Sequence, residues 1–570
     1  MVKRVRSQEH IIPDIEEWPI FKLSQDREKF VEEINAFTFQ KITGRHNEVG
    51  DYLARSIYQE LIRIKEEPWR VDPPNEKIFW KRQQEKLSRE DKDFSDAEYK
   101  VIEEEVLRAI INRYSEEIVG TFSISTFLFA RKVLTSFFKR LLTKVTSRGI
   151  FRFWGQKKAL YEKLKVYGPL DDIRELTKDH VIVILPTHFS NLDSVLIGYA
   201  IDQIAGLPSF SYGAGLNLYN SGLAAYFMNR LGAYRVDRRK KSPVYLETLK
   251  SMSTLSLLRG TNSLFFPGGT RSRSGALEDR LKLGLLNTLI ESQRNFCGEN
   301  SDKKIIVVPL VLSYNFVLEG KYLIENYLRR TGKEKYIRSR DNSKSYRQVT
   351  KFASQFFFES SEITLSFGAP FDVMGNAVTT DGKSIDHRGH EVEIKDYFLL
   401  NGKINEDPQR EAEYTKLLAE KVVAQFHKES IALASHIVAF AAFVVLQNSY
   451  KNLDLFGVLQ LPEEEVKFPL ADFVQVIADL RAGLSILEAN GEILLPDDMR
   501  EDNTAFVQEG VTKLGTFHDK RALYLLKDGD LASEDFKLLF YYHNRLEHYD
   551  LAKYIKPEHM RLVAQEPPIH

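Results

Sequence analysis

Four short β-rich runs constrain the fold of this chain more than anything else in it: VIVILP from residue 181, NSLFFP from 262, IIVVPL from 305 and EITLSF from 362. Each is too short for a buried helix, and stretches with helical patterning lie between them. Strands that are apolar throughout bury both faces, and strands joined through helices lie in a sheet with helices packed on it. The region from about 178 to 375 therefore reads as an α/β sheet covered on both sides, with its chemistry at the strand ends.

The flanks read differently. From about residue 20 to 117 the sequence is dense in charge, and DAEYKVIEEEVLRAIINRY places apolar residues at helical spacing, so 1–117 is expected to be a helical N-terminal region. After about 410 the pattern is again helical, which predicts a helical C-terminal domain over 410–570 and an α/β domain over 162–409. A chain of 570 residues exceeds what one core usually organises. The longest apolar run, Ile437 to Leu446, is about half of the roughly 20 residues that cross a bilayer, so a buried helix is expected there. The N-terminus begins basic but meets acids and Pro13 before any apolar run, which gives no secretory signal.

Lys plus Arg and Asp plus Glu both number 80, so the overall balance offers nothing to a nucleic acid, and charge arguments must be local. Cys297 is the only cysteine, which excludes a disulfide framework or a cysteine-rich metal site and fits a reducing compartment. The strongest local signal is the segment 118–161, whose 44 residues hold nine Lys or Arg and no Asp or Glu. Within it Val133, Leu134, Phe137, Phe138, Leu141, Leu142 and Val145 recur at helical spacing, with Lys132, Lys139, Arg140 and Lys144 on the opposite face. Ordinary surface helices carry both signs of charge. A basic amphipathic helix is expected to lie on an anionic membrane surface, giving peripheral attachment at the cytoplasmic face.

Just past the run at 181 the chain reads Thr187-His188-Phe189-Ser190-Asn191-Leu192-Asp193. With a helix starting near Ser190, His188 stays in the loop and Asp193 can reach back to its ring. A carboxylate in that position fixes the imidazole tautomer, and the free ring nitrogen can remove a proton from an alcohol. Ser190-x-x-Asp193 also fits a capping box, in which Asp193 merely closes a helix start. Three further segments follow at proposed strand ends: Gly-Ala-Tyr-Arg-Val-Asp-Arg-Arg from 232, Phe-Pro-Gly-Gly-Thr-Arg-Ser-Arg-Ser-Gly from 266, and Val-Pro-Leu-Val-Leu-Ser-Tyr from 308.

In this order the segments resemble the four motifs of the phosphate-ester (glycerolipid) acyltransferase superfamily: His-x4-Asp, a Gly...Arg segment, a Glu-Gly-x-Arg-Ser segment and a Val-Pro strand. Ala214-Gly215-Leu216-Asn217-Leu218, Lys282-Leu283-Gly284-Leu285-Leu286, and Leu312-Ser313-Tyr314 with Glu319 look like the glycerol-3-phosphate branch. The likeness covers roughly residues 180–370, with a weaker echo near Ser435-His436. It implies an α/β fold built on a mixed, mostly parallel sheet covered by helices. It implies His188 as general base, Asp193 as its orienting partner, and Arg238, Arg271 and Arg273 as holders of the substrate phosphate. Lys282 is a weaker phosphate candidate, and Gly269 sits in a turn that either cradles an anion or is a plain tight turn.

The implied reaction moves a fatty acyl group from acyl-CoA or acyl carrier protein to the 1-hydroxyl of glycerol 3-phosphate, giving lysophosphatidate for phospholipid biosynthesis, with no cofactor. The alternatives are lysophosphatidate or dihydroxyacetone phosphate as acceptor, or a non-catalytic lipid-surface scaffold. The chain departs from the family twice. Gly268 stands where the third motif usually has Glu, so that carboxylate is absent or supplied elsewhere, and Asp237 stands where the glycerol-3-phosphate branch commonly has Arg.

Overall fold

The computed structural model describes residues 7–45, 49–69, 72–88, 95–142, 164–219, 222–317, 319–331, 363–463, 466–496, 499, 502–515 and 518–560. Eleven strands form one sheet: β1 (Leu164–Tyr167), β2 (Val181–Pro186), β3 (Ser211–Gly215), β4 (Ala233–Val236), β5 (Ser263–Leu264), β6 (Ile305–Tyr314), β7 (Ile363–Phe367), β8 (Phe371–Asp372) and three two-residue strands beyond it. The middle of the sheet, in the order β6-β2-β5-β3-β4, is parallel throughout. β7 and β8 pair antiparallel with β6, which makes the sheet mixed and mostly parallel, as the motifs imply.

Every residue of β2 and of β6 is buried, so both faces are covered. The path from β2 to β3 runs one way across the sheet, and the paths from β4 to β5 and from β5 to β6 run back. Right-handed crossovers then put helix Asp193–Gln203 on one face and helices Pro243–Leu258 and Leu283–Gly298 on the other. The latter two pack on each other; helices Arg27–Arg45 and Asp96–Ile118 pack on the first of them, and Pro408–Lys428 packs on the second. Pro309, expected at a strand end, lies within β6. Its carbonyl accepts from Gly368 on the side of β7 and β8, so its missing N–H falls between the stretch paired with β8 and the stretch paired with β7.

The run Ile437 to Leu446 lies in helix Ala434–Ser449, which is buried along nearly its whole length among helices Leu470–Ala489, Asn503–Gly515 and Phe536–His543. Among the described residues no helix is long and apolar enough to cross a membrane. The apolar core of the sheet continues into these C-terminal helices, from Leu164 to Ile555. The basic segment contains helix Ile124–Leu142. One side docks: Arg131 donates to both carboxylate oxygens of Asp202, at 2.8 and 2.6 Å, and Leu134 packs against the core. Leu128, Phe129 and Val133 are exposed, as is Lys132. The side chains of Phe137, Phe138, Lys139, Arg140, Leu141 and Leu142, and residues Lys144 and Val145, lie outside what the structure describes.

Candidate active site

Parallel strands deliver their following loops to one edge of the sheet, and at this edge β2, β4, β5 and β6 bring the four motif segments together. His188 leaves β2 in a loop, and its Nδ1 lies 2.7 Å from Asp193 Oδ2. A carboxylate only accepts, so Nδ1 carries the hydrogen, and in the neutral ring Nε2 is then the acceptor. Asp193 is fully buried and also accepts from the N–H groups of Phe189 (2.7 Å) and Ser190 (2.9 Å) and from the hydroxyl of Tyr314. The helix therefore begins at Asp193 rather than near Ser190, because the carboxylate holds the two preceding N–H groups in a turn. Phe266 stacks on the imidazole with ring centres 4.1 Å apart. The His188 carbonyl accepts from Ser272 N–H at 2.7 Å, and the His188 N–H donates to Glu278 Oε1 at 2.9 Å.

His188 opens into a cavity of about 280 Å³ that Arg238, Arg271, Arg273 and Arg330 share. Arg271 pairs with Glu319 at 3.0 Å, and Glu319 also accepts from Asn191 N–H and Ser190 Oγ, which ties the third motif to the loop of the base. Arg238, Arg273 and Arg330 have no carboxylate partner among the described residues. Burial and then the charges of Arg271 and Arg273 hold Arg238 below its ordinary value, and burial followed by Arg330 does the same for Arg273. Four guanidinium groups converging with one carboxylate make a site for an anion that presents several oxygens.

Arg238 is aimed by its neighbours. Asp237 is buried and accepts twice from the Arg239 guanidinium, at 3.0 and 2.7 Å, and once from its backbone N–H, while Arg239 also pairs with Asp72 of the N-terminal region. Lys240 is locked to Glu117 at 2.6 Å. The Asp237 carboxylate is thus committed to Arg239, and only Arg238 of this loop faces the anion cavity.

Lys282 and Gly269 lie on the next cavity, of about 610 Å³, walled by apolar side chains including Tyr234, Leu246, Leu249 and Leu285. The two cavities share Gly213, Gly215, Arg238, Phe266 and Thr270. Gly269, at φ +78°, gives its N–H to the carbonyl of Phe266, which makes this a plain tight turn and leaves no free donor for an anion at that position. Lys282 is exposed and does not line the arginine cavity. Sequence reasoning missed Arg330, Tyr322 and Asn326, which helix Gly320–Arg330 brings into the anion cavity, and it missed Glu278. No local motif marks them.

An imidazole oriented by a carboxylate, beside an anion site and an apolar slot, can take a proton from a hydroxyl held by that anion site. Residues 168–313 match the family model described as Acyltransferase. The chain is 25% identical over 348 residues to a glycerol-3-phosphate acyltransferase of Pseudomonas syringae pv. syringae (strain B728a), a match that covers 61% of this chain and 36% of that protein. It is 26% identical over 330 residues to one of Pseudomonas savastanoi pv. phaseolicola (strain 1448A / Race 6), covering 58% and 34%. With one of Ectopseudomonas mendocina (strain ymp) it shares 27% over 242 residues, covering 42% and 26%. The matched stretch spans about a third of the length of the first two relatives.

Proposed function

We propose that this acyltransferase moves a fatty acyl group from an acyl thioester to the 1-hydroxyl of glycerol 3-phosphate. One observation carries the reading: the free Nε2 side of the His188–Asp193 pair opens into the cavity where Arg238, Arg271, Arg273 and Arg330 converge. The acceptor phosphate binds those guanidinium groups, and His188 takes the proton of the 1-hydroxyl. The alkoxide oxygen attacks the thioester carbonyl to give a tetrahedral oxyanion; the C–S bond then breaks and the thiolate leaves, taking the proton back from the imidazolium. Asp193 keeps the imidazole in the required tautomer and stabilises its charged form. The acyl chain enters the apolar cavity that shares Arg238 and Phe266 with the anion site.

The acceptor assignment rests on the names of the relatives and on the commitment of Asp237 to Arg239, which leaves the atypical residue of the second motif without a part in acceptor choice. Purified protein assayed with palmitoyl-CoA or a palmitoyl carrier protein, and with glycerol 3-phosphate, dihydroxyacetone phosphate or lysophosphatidate, tests this directly. Lysophosphatidate as main product from glycerol 3-phosphate is expected. Preference for either other acceptor moves the assignment within the family, and no turnover with any pair leaves the lipid-surface scaffold.

We further propose that helix Ile124–Leu142 rests on an anionic lipid surface, which fits a product with an acyl chain. Exposed Leu128, Phe129 and Val133 supply apolar contact, and each nearby Lys or Arg adds roughly 1 kcal/mol. Vesicle binding should rise with anionic lipid and weaken in salt. Changing Lys132, Lys139, Arg140 and Lys144 to Glu should release the protein; unchanged sedimentation with vesicles would make this an ordinary packing helix.

A further inference from the structure

The third motif lacks its usual carboxylate at Gly268, yet the space that a side chain there would enter is already filled. A Cβ built on Gly268 would lie 2.9 Å from Cγ of Glu278 and 3.2 Å from its Oε1. Glu278 follows Gly268 by ten residues, on the loop that leads to helix Leu283–Gly298. Its Oε1 is the acceptor for the His188 N–H.

We propose that Glu278 supplies from the following loop the carboxylate that residue 268 no longer carries, and that it acts as a positioning residue for the general base. This rests on the function proposed for His188. The peptide groups of His188 are clamped on both sides by the segment after β5, with Ser272 N–H holding the carbonyl at 2.7 Å and Glu278 holding the N–H. The clamp is itself anchored: Ser272 Oγ donates to Ala276 O at 2.7 Å, and Asn544 of the C-terminal region donates to Ser274 O at 2.9 Å. Fixing both peptide groups fixes the Cα from which the imidazole swings, and errors of about 1 Å in a reacting group cost up to roughly a hundredfold in rate.

The second oxygen supports a role beyond loop packing. Glu278 is only partly buried as a residue, but its Oε2 is sealed from solvent and has no hydrogen-bond partner among the described residues. Burial pushes this carboxyl up to about 7; the His188 N–H and Arg545 pull it down, and the charge of Asp193 adds to the rise.

The test relocates the carboxylate. Glu278→Ala should lower kcat with palmitoyl-CoA and glycerol 3-phosphate by roughly ten- to a hundredfold, with KM for glycerol 3-phosphate within about twofold, because no phosphate contact is touched. Glu278→Gln keeps an acceptor for the His188 N–H and should stay within about threefold of the parent. Gly268→Glu alone should be impaired by collision with Glu278, whereas Gly268→Glu/Glu278→Ala should recover most of the lost kcat. Parental kcat in Glu278→Ala overturns the inference, as does a folded double variant no faster than Glu278→Ala. If Glu278→Ala does not fold, Glu278→Leu fills the space without an acceptor; a slow Leu variant supports the inference and a fast one overturns it. His188→Ala serves as the control: inactive His188→Ala beside fully active Glu278 variants sinks only this inference, while active His188→Ala sinks the proposed function.

Discussion

Arg238 and Arg239 are neighbours in sequence and opposites in circumstance. Arg239 joins a set of paired charges between the sheet and the N-terminal helices, in which Arg63 pairs with Glu60, Asp72 and Glu76, and Lys240 pairs with Glu117. Burial alone would lower the pKa of Arg239, but Asp237 and Asp72 outweigh it and raise it. Arg238 has like charges where Arg239 has opposite ones, and its pKa is lowered. Arg239 is largely withdrawn from water beside its counter-charges, whereas the Arg238 side chain stays accessible in the cavity and has none among the described residues. A fold tolerates uncompensated positive charge where a ligand brings the negative charge, so the difference separates scaffold from site.

If that division holds, substitutions in the cavity cost activity and leave the fold intact, and the base shows this most strongly. His188→Ala should lower kcat by about 10²- to 10⁴-fold, with an unchanged circular dichroism spectrum. Asp193→Asn should lose less than His188→Ala and also keep the fold. Near-normal turnover in His188→Ala would remove the base from the mechanism.

The two arginines then test the comparison itself. Arg239→Ala leaves Asp237 buried without its partner and should cost about 3 kcal/mol of stability, read by chemical denaturation. Arg238→Ala should leave stability unchanged or improved, since it relieves repulsion from Arg271 and Arg273. It should raise KM for glycerol 3-phosphate by the equivalent of about 2 kcal/mol, with the KM for acyl-CoA little changed. Equal stability losses in the two variants would erase the distinction.

The interior gives an independent check, because it also refuses unpaired positive charge on histidine. Burial, with Arg545 adding, pushes His436 down to about 3, and burial pushes His543 down to about 4 against a small opposing hydrogen bond to Asn544. Below the ordinary value near 6.5 the unfolded chain takes up a proton at each position and the folded chain does not. Their contribution is therefore fully present above pH 6.5 and is lost as pH falls toward 4, by about 1.4 kcal/mol per unit for each group. Melting followed from pH 7 to 5 should show a steeper acid loss in the parent than in His436→Gln or His543→Gln. The carboxylates of buried Glu60 and Glu411 and of half-buried Glu429, whose pKa values are raised by burial, push the other way but cancel in the comparison. Equal slopes would mean that these histidines are charged in the folded state.

What could be read from sequence follows the same division between local and assembled features. β2 and nearly all of β6 announce themselves because strands buried on both faces are apolar, and β7 because it alternates Ile, Leu and Phe with Thr and Ser, whereas β3 is Ser-Tyr-Gly-Ala-Gly and β4 is four residues long, so neither has a period to detect. His188, Asp193, Arg238, Arg271 and Arg273 were legible because each sits in a short motif beside a strand end. Arg330 and Glu278 were not, since their relevance exists only once helix Gly320–Arg330 and the loop before Lys282 fold back over those ends. At the Asp237 position, where the sequence departs from the branch, the missing information was that Arg239 engages its carboxylate.

Lys282 provides the smallest test and the finest one, because it asks where the anion site stops. The side chain is exposed and lines the apolar cavity rather than the arginine cavity, while its backbone N–H, bonded to Pro267 O at 2.8 Å, survives any substitution. An exposed cation contributes about 0 to 1 kcal/mol to a contact, against about 2 for a guanidinium closed over a bound phosphate. Lys282→Ala should therefore change KM for glycerol 3-phosphate by less than about threefold, with any larger effect falling on the acyl donor. Lys282→Glu sharpens the reading by reversing the charge beside the apolar slot, where an acidic donor such as acyl-CoA or acyl carrier protein would feel it. A rise of tenfold or more in the glycerol 3-phosphate KM of Lys282→Ala, at unchanged donor KM, would move Lys282 into the phosphate site and dissolve the boundary between the two cavities at Arg238 and Phe266.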